Sequence, residues 1–259
     1  MKKIIFIFLM VMSATVGVRA QMVMGTEGLI NIPTADMKPS GTFVGGATFL
    51  PKSYLDGYHK YNTGMYYITL TPVPWAELTF RETLAKGRTQ TLLPPYVDEN
   101  GTIVVGKVEY GDYGFHFQDR SYTIRLRPLF WVKDKRIPQV VLGTNDPWSD
   151  NGGSYYSCVY GVATEHVTLG NIGDLGISAG YFKSFADRFG DQKAYDGVFG
   201  GIAFTPAFWD KMMLSADYDT QGVNLGLAVC LFKHWNIFAY ERDFEKFGFG
   251  MSYQYTIDF

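Results

Sequence analysis

The chain has 259 residues, 47% of them hydrophobic, 17% aromatic and 19% charged, with a formal net charge of −2. That balance supplies no basic surface to neutralise phosphates, so nucleic acid is excluded as a partner. Beyond the N-terminal stretch no apolar run reaches the ~20 residues a membrane helix needs, so any membrane span must be built from strands.

The chain opens as a secretory signal. Lys2 and Lys3 form a charged start, Ile4 to Val18 are almost wholly apolar, and Val18-Arg19-Ala20 puts small residues at the −3 and −1 positions before Gln21. The apolar run is short for a span, and no cysteine follows it, so a lipoprotein signal is not expected. Residues 1–20 are therefore read as a signal for the general secretory route, and Gln21 to Phe259 as one domain. Residues 21–41 stand before the first strand pattern. They fit either a plain periplasmic lead-in or a plug tucked into a lumen.

From residue 42 onward, strand patterns recur at 42–50, 61–71, 75–83, 121–130, 137–145, 154–165, 173–182, 197–205, 211–219, 223–232, 234–242 and 247–259. That is about twelve strands, within a range of ten to fourteen, and an even number suits a bacterial outer-membrane β-barrel. The connections sort by parity. Thr71–Pro74, Trp131–Arg136, His166–Ile172, Pro206–Asp210 and Lys233 are short, while Pro51–Lys60, Leu84–Arg120, Asp146–Gly153 and Lys183–Asp196 are longer and fall on the other side. Short periplasmic turns and long extracellular loops are the asymmetry of such barrels. Trp75, Trp131, Trp209 and Trp235 lie at or beside the short turns, as a girdle at one membrane interface requires, and only Trp148 lies in an outer loop. Leu84–Arg120 is expected to contain a hairpin around Asn100-Gly101 and to fold over or into the barrel mouth, its aromatics either stacking on sugar rings or packing the loop.

The strand faces sort as well. Ala76, Leu78 and Phe80 oppose Glu77, Thr79 and Arg81, and Tyr122, Ile124 and Leu126 oppose Thr123, Arg125 and Arg127. The last strand alternates without error: Phe247, Phe249, Met251, Tyr253, Tyr255, Ile257 and Phe259 on one face, Gly248, Gly250, Ser252, Gln254, Thr256 and Asp258 on the other. The apolar faces are assigned to lipid, because a charge there costs ~2–4 kcal/mol at the midplane. The terminal row Tyr253, Tyr255, Ile257 and Phe259 resembles the C-terminal signal read by the barrel-assembly machinery.

The lumen is then expected to hold Glu77, Arg81, Arg125, Arg127, Glu165, Asp217, Asp219 and Asp258. These residues suit a polar conduit for a hydrated substrate such as a glycan. They suit better an internal network of paired charges, since a narrow barrel must satisfy what it buries. Arg125 and Arg127 should neighbour Glu77 and Arg81. Cys158 is assigned outward with Tyr156 and Tyr160, Cys230 inward with Gly226 and Ala228, and no disulfide is expected.

Catalytic chemistry finds little support. His59, His116, His166 and His234 form no triad pattern with a serine and a carboxylate, and no metal-ligand spacing. Asp217 and Asp219 share a strand face but are read as lumen lining. The glycines of Phe247-Gly248-Phe249-Gly250 sit within an unbroken alternation, so they are not a phosphate loop. No catalytic residue, cofactor or metal is expected.

One further pattern runs along the chain. Gly28-Leu29-Ile30, Pro33-Thr34-Ala35 and Gly41 are followed in order by Asn145-Asp146-Pro147, Ala216-Asp217-Tyr218-Asp219 and Tyr240-Glu241-Arg242. This series resembles the YjbH-like exopolysaccharide-biosynthesis outer-membrane proteins. The resemblance implies an outer-membrane barrel that takes part in production or export of an extracellular polysaccharide, without enzymatic activity. Expected partners are outer-membrane lipid, the assembly machinery, polysaccharide and other envelope proteins of that pathway. The alternatives are a general small-solute channel, an outer-membrane hydrolase and a soluble secreted β-protein.

Overall fold

The structure, a computed structural model, describes residues 21–52, 54, 61–92, 95–104, 108–132, 137–148, 156–185 and 195–257. The expected signal over residues 1–20, His59, Asp258 and Phe259 lie outside the described residues.

Among the described residues fourteen strands follow in chain order: β1 (Thr42–Leu50), β2 (Thr63–Val73), β3 (Ala76–Leu92), β4 (Tyr96–Val97), β5 (Ile103–Val104), β6 (Val108–Leu126), β7 (Gln139–Asn145), β8 (Cys158–Thr168), β9 (Gly173–Ser184), β10 (Gly197–Pro206), β11 (Met212–Tyr218), β12 (Val223–Leu231), β13 (Trp235–Arg242) and β14 (Lys246–Thr256). All but β4 and β5 form one closed antiparallel barrel of twelve strands. Closure falls to β14, which pairs with β13 and, from Phe49↔Phe249 down to Thr42↔Thr256, with β1. The Phe49 and Phe249 rings stack at 5.3 Å on that seam.

Several boundaries differ from the sequence reading. β3 and β6 pair from Ala76↔Leu126 out to Leu92↔Val108, so most of the expected loop Leu84–Arg120 is a two-stranded ribbon. It ends in the expected hairpin, β4 with β5, which turns at Gly101 with φ +78°. His116 is therefore a strand residue. At the opposite end β6 stops at Leu126 rather than Phe130, and the connection there spans residues 127–138. β8 begins later and runs past His166 to Thr168.

The barrel is apolar outside and polar inside. Leu78, Tyr122, Leu142, Ile202, Leu214 and Phe249 are exposed on the outer face, whereas Glu77, Arg81, Arg125 and Asp217 are buried. Water would penalise such an outer belt, and a bilayer would favour it. Inside, large rings face glycines directly across the ladder, as in Gly46↔Tyr67, Gly143↔Tyr160 and Gly248↔Tyr240. A Cβ at Gly143 would stand 2.2 Å from the Tyr160 ring, so the absence of a side chain is what lets the ring lie flat on the wall.

Cys158 is corrected. It is fully buried and faces inward with Tyr160, while Val159 faces out. An aromatic row is not an outer row here. This part of the interior is itself apolar, packed with Phe182, Phe199 and Tyr195, so polarity does not mark the face there. Cys230 is buried on the inner face, and both cysteines are free thiols.

Candidate functional site

Residues 21–38 occupy the lumen. Nearly all are buried, and they bond to or pack against inward side chains of nine strands around the wall. Only a segment inside the barrel can touch so much of its circumference. The chain enters at the short-turn rim, where the Gly41 N–H donates to the Thr71 carbonyl and the Ile257 N–H to the Gly41 carbonyl.

The plug folds on itself through tight turns. The Gly25 N–H donates to the Met22 carbonyl, Val23 N–H to Ile30, and Leu29 N–H to Ile32. Gly25 has φ +86°, and a Cβ there would lie 2.4 Å from the Tyr67 ring, so only glycine fits. The Gly-Leu-Ile run gains a physical meaning here. Leu29 seats on Gly201 of β10 and Ile30 on Gly226 of β12, where a wall Cβ would come within 2.7 and 2.6 Å of them.

Two polar joints bind plug to wall. The lower joint is built on Glu77 of β3 and Arg125 of β6, direct partners in register. Arg125 Nη1 donates to Glu77 Oε1 at 2.6 Å, and Nη2 donates to the Thr34 and Asp36 carbonyls of the plug. The Glu27 N–H donates to the same Glu77 oxygen at 3.3 Å, and Lys38 pairs with Glu27 at 2.7 Å. Two carboxylates and two cations, all at most 3% exposed, thus compensate one another.

The upper joint is built on Asp217 and Asp219. Asp217 accepts the Ile30 and Asn31 N–H groups at 2.7 and 3.1 Å and the Asn224 amide at 2.7 Å. Asp219 accepts the Asn31 side-chain amide at 2.8 Å and stands 3.6 Å from Arg242. Arg242 also donates to the Tyr54 carbonyl at 3.0 Å and lies over the Tyr54 ring. The Tyr54 hydroxyl donates to Asn31 at 2.6 Å. Burial pushes the Tyr54 and Tyr195 phenols well above their ordinary value, so both remain neutral. Arg81 completes this end, donating to Thr123 at 2.7 Å and facing Asp146 at 3.6 Å and the Tyr156 ring at 5.0 Å.

The structure thus brings Glu77, Arg81, Arg125, Asp217 and Asp219 into the interior. Arg127 sits at the rim, donating to the Pro74 carbonyl at 2.7 Å and to Gln139 at 3.2 Å. Glu165 is corrected. It pairs with the exposed Ile177 and shares the outer face of β8 with Val159 and Val167, because Thr164 takes the inward position beside it. Trp75, Trp131, Trp209 and Trp235 are 40–63% exposed at the short-turn end, and Trp148 is 71% exposed at the other. Glu27, Asn31, Lys38, Asp146, Asn224 and Arg242 were not singled out as site residues. Arg242 could have been found from its alternation with Tyr240, whereas the plug residues carry no period.

Among the described residues no group of three or more metal-binding side chains forms. His166 contacts Asp36 at 2.9 Å, and His234 contacts the Gln254 carbonyl at 2.9 Å.

Free space is uneven. Around Arg242 and Tyr54, and around Arg81 and Tyr160, the interior leaves only about 10 Å³ in each place. At the short-turn end a cavity of about 370 Å³ stays open between the plug and the β7–β11 wall.

Fold and site together define a twelve-stranded antiparallel β-barrel whose lumen is filled by its own N-terminal segment. Within that class the chain belongs to the YjbH family, described as "Exopolysaccharide biosynthesis protein YbjH", whose model matches residues 20–257. Among solved structures it is similar to a "KdgM porin", at 6% identity and TM-score 0.43, with 84% of this chain and 99% of that chain covered. None of the curated proteins compared matches the chain.

Proposed function

We propose that this protein is a closed outer-membrane barrel that takes part in exopolysaccharide biosynthesis or secretion and performs no catalysis of its own. The observation that carries the reading is the family match over residues 20–257. The outward apolar belt supports a bilayer location, and the exposed tryptophans at the short-turn end support a headgroup girdle there. In this reading the short turns face the periplasm, residues 1–20 direct export, and Tyr253, Tyr255, Ile257 and Phe259 are read by the assembly machinery.

The filled lumen favours this role over a general solute channel. A conducting pore would require residues 21–38 to leave, breaking both polar joints. Deleting the gene should reduce surface polysaccharide under inducing conditions, and unchanged polysaccharide would refute the role. Purified protein in planar bilayers should be almost non-conducting, and a steady open conductance would favour the channel. Loss of Phe259 should lower the amount of assembled protein in the outer-membrane fraction.

A further inference from the structure

The open cavity at the short-turn end forms a cup, with the plug as its inner side. Its polar lining comes from Asp36, Thr164, His166, Asp174, Ser178 and Thr205. Its apolar floor comes from Leu29, Ala203 and Met213. At about 370 Å³ it falls in the ~300–1,000 Å³ range of small-ligand pockets.

The cup also continues sideways. A second cavity, of about 500 Å³, shares Gln139, Thr164 and His166 with it and adds Arg127, Glu165 and Phe130. The strand ends account for this extension. β6 stops at Leu126 and pairs with β7 only from Thr123↔Asn145 to Leu126↔Leu142, while β7 begins at Gln139 and β8 runs on to Thr168. The two cavities therefore meet at these strand ends, along the residues they share.

We propose that the cup binds a short stretch of a neutral or amine-bearing glycan. This rests on the reading that the protein handles polysaccharide. The lining matches the ligand in three ways. Hydroxyls and carboxylates offer the donors and acceptors that sugar hydroxyls need. The Leu29, Ala203 and Met213 floor offers an apolar face to the C–H side of a ring. The Asp36 and Asp174 carboxylates repel a uronic-acid polymer and favour neutral or amino sugars. Thr164 and Ser178 bond each other at 2.9 Å, His166 bonds Asp36, and Thr168 donates to Asp174 at 2.7 Å, so the lining is held in place before ligand arrives.

The test uses the full-length protein in detergent, titrated by calorimetry and by saturation-transfer NMR with three tetrasaccharide probes: a cellulose tetramer, a glucosamine tetramer and a galacturonate tetramer. The neutral or the glucosamine probe should bind, with the galacturonate probe at least about tenfold weaker, the scale of one lost charge-assisted contact. Asp174→Asn, at the exposed mouth, should weaken binding about tenfold with unchanged thermal stability. Ala203→Trp should fill the floor and abolish binding. Failure of all three probes to bind, equal binding of galacturonate, or unaltered binding by Asp174→Asn would overturn the site. The deletion phenotype is separate: polysaccharide lost on deletion, with no probe bound, removes this site and leaves the role, while bound probe with unchanged polysaccharide removes the role.

Discussion

The Asp217 carboxylate accepts the Ile30 backbone N–H at 2.7 Å, joining the wall to a plug residue 187 positions earlier in the chain. The same side chain also accepts from Asn31 and Asn224. Asp217→Ala leaves three donors without this acceptor, at a cost of about 3 kcal/mol. The expected result is a lower unfolding temperature in the heat-modifiable gel assay, together with new conductance in planar bilayers as the plug loosens. A variant as sealed as the parent would show that the plug does not depend on this joint.

Glu77 and Arg125 face each other at 2.6 Å with almost no exposure. Removing one partner strands a buried charge, which costs ~3–5 kcal/mol. Arg125→Met alone should therefore be strongly destabilising, and it also frees the Thr34 and Asp36 carbonyls. Arg125→Met combined with Glu77→Leu should recover part of the loss, since no unpaired charge remains on the wall. Chemical denaturation of the refolded barrel measures both variants; a double variant no more stable than the single would contradict the pairing argument.

Gly143 leaves the space that the Tyr160 ring fills. Gly143→Ala introduces a methyl where 2.2 Å is available, and overpacking of this kind costs ~1–3 kcal/mol. Tyr160→Leu in the same chain removes the clash and should restore stability toward that of Tyr160→Leu alone. The measurement is a double-mutant cycle on unfolding free energies, and additive effects would rule out the contact.

The β13–β14 turn holds Asp243 and Phe244 at φ +54° and +58°, a left-handed pair normally filled by residues such as Asn-Gly. Phe244 is 75% exposed, so its ring contributes little packing. Phe244→Gly should stabilise the barrel by about 1 kcal/mol, because a non-glycine residue pays roughly that much in this region. Asp243 should stay, since its carboxylate accepts the Val223 N–H at 3.0 Å. A lower melting temperature for Phe244→Gly would refute the strain argument.

Much of the wall was legible from alternation alone. The twelve strands, the closing role of the last one and the opposed faces of Leu78 with Glu77 or Leu126 with Arg125 follow from a local period of two, which neighbouring residues report without reference to the rest of the chain. Alternation does not assign a face where both sides are similar in polarity. The aromatic interior around Cys158 and Tyr160 resembles an outer row, and Glu165, beside the inward Thr164, shows that a charge alone does not mark the lumen.

Strand periodicity and hydrophobicity are written residue by residue, and they dictate an inside-out barrel and the residue types that line it. Tertiary structure alone decided what fills the barrel. Residues 21–38 carry no period, and Glu27 and Asn31 reach Glu77, Asp217 and Asp219 only when the closed sheet brings those side chains around them. Those contacts span up to 188 residues of chain and depend on register and closure, which no local pattern encodes.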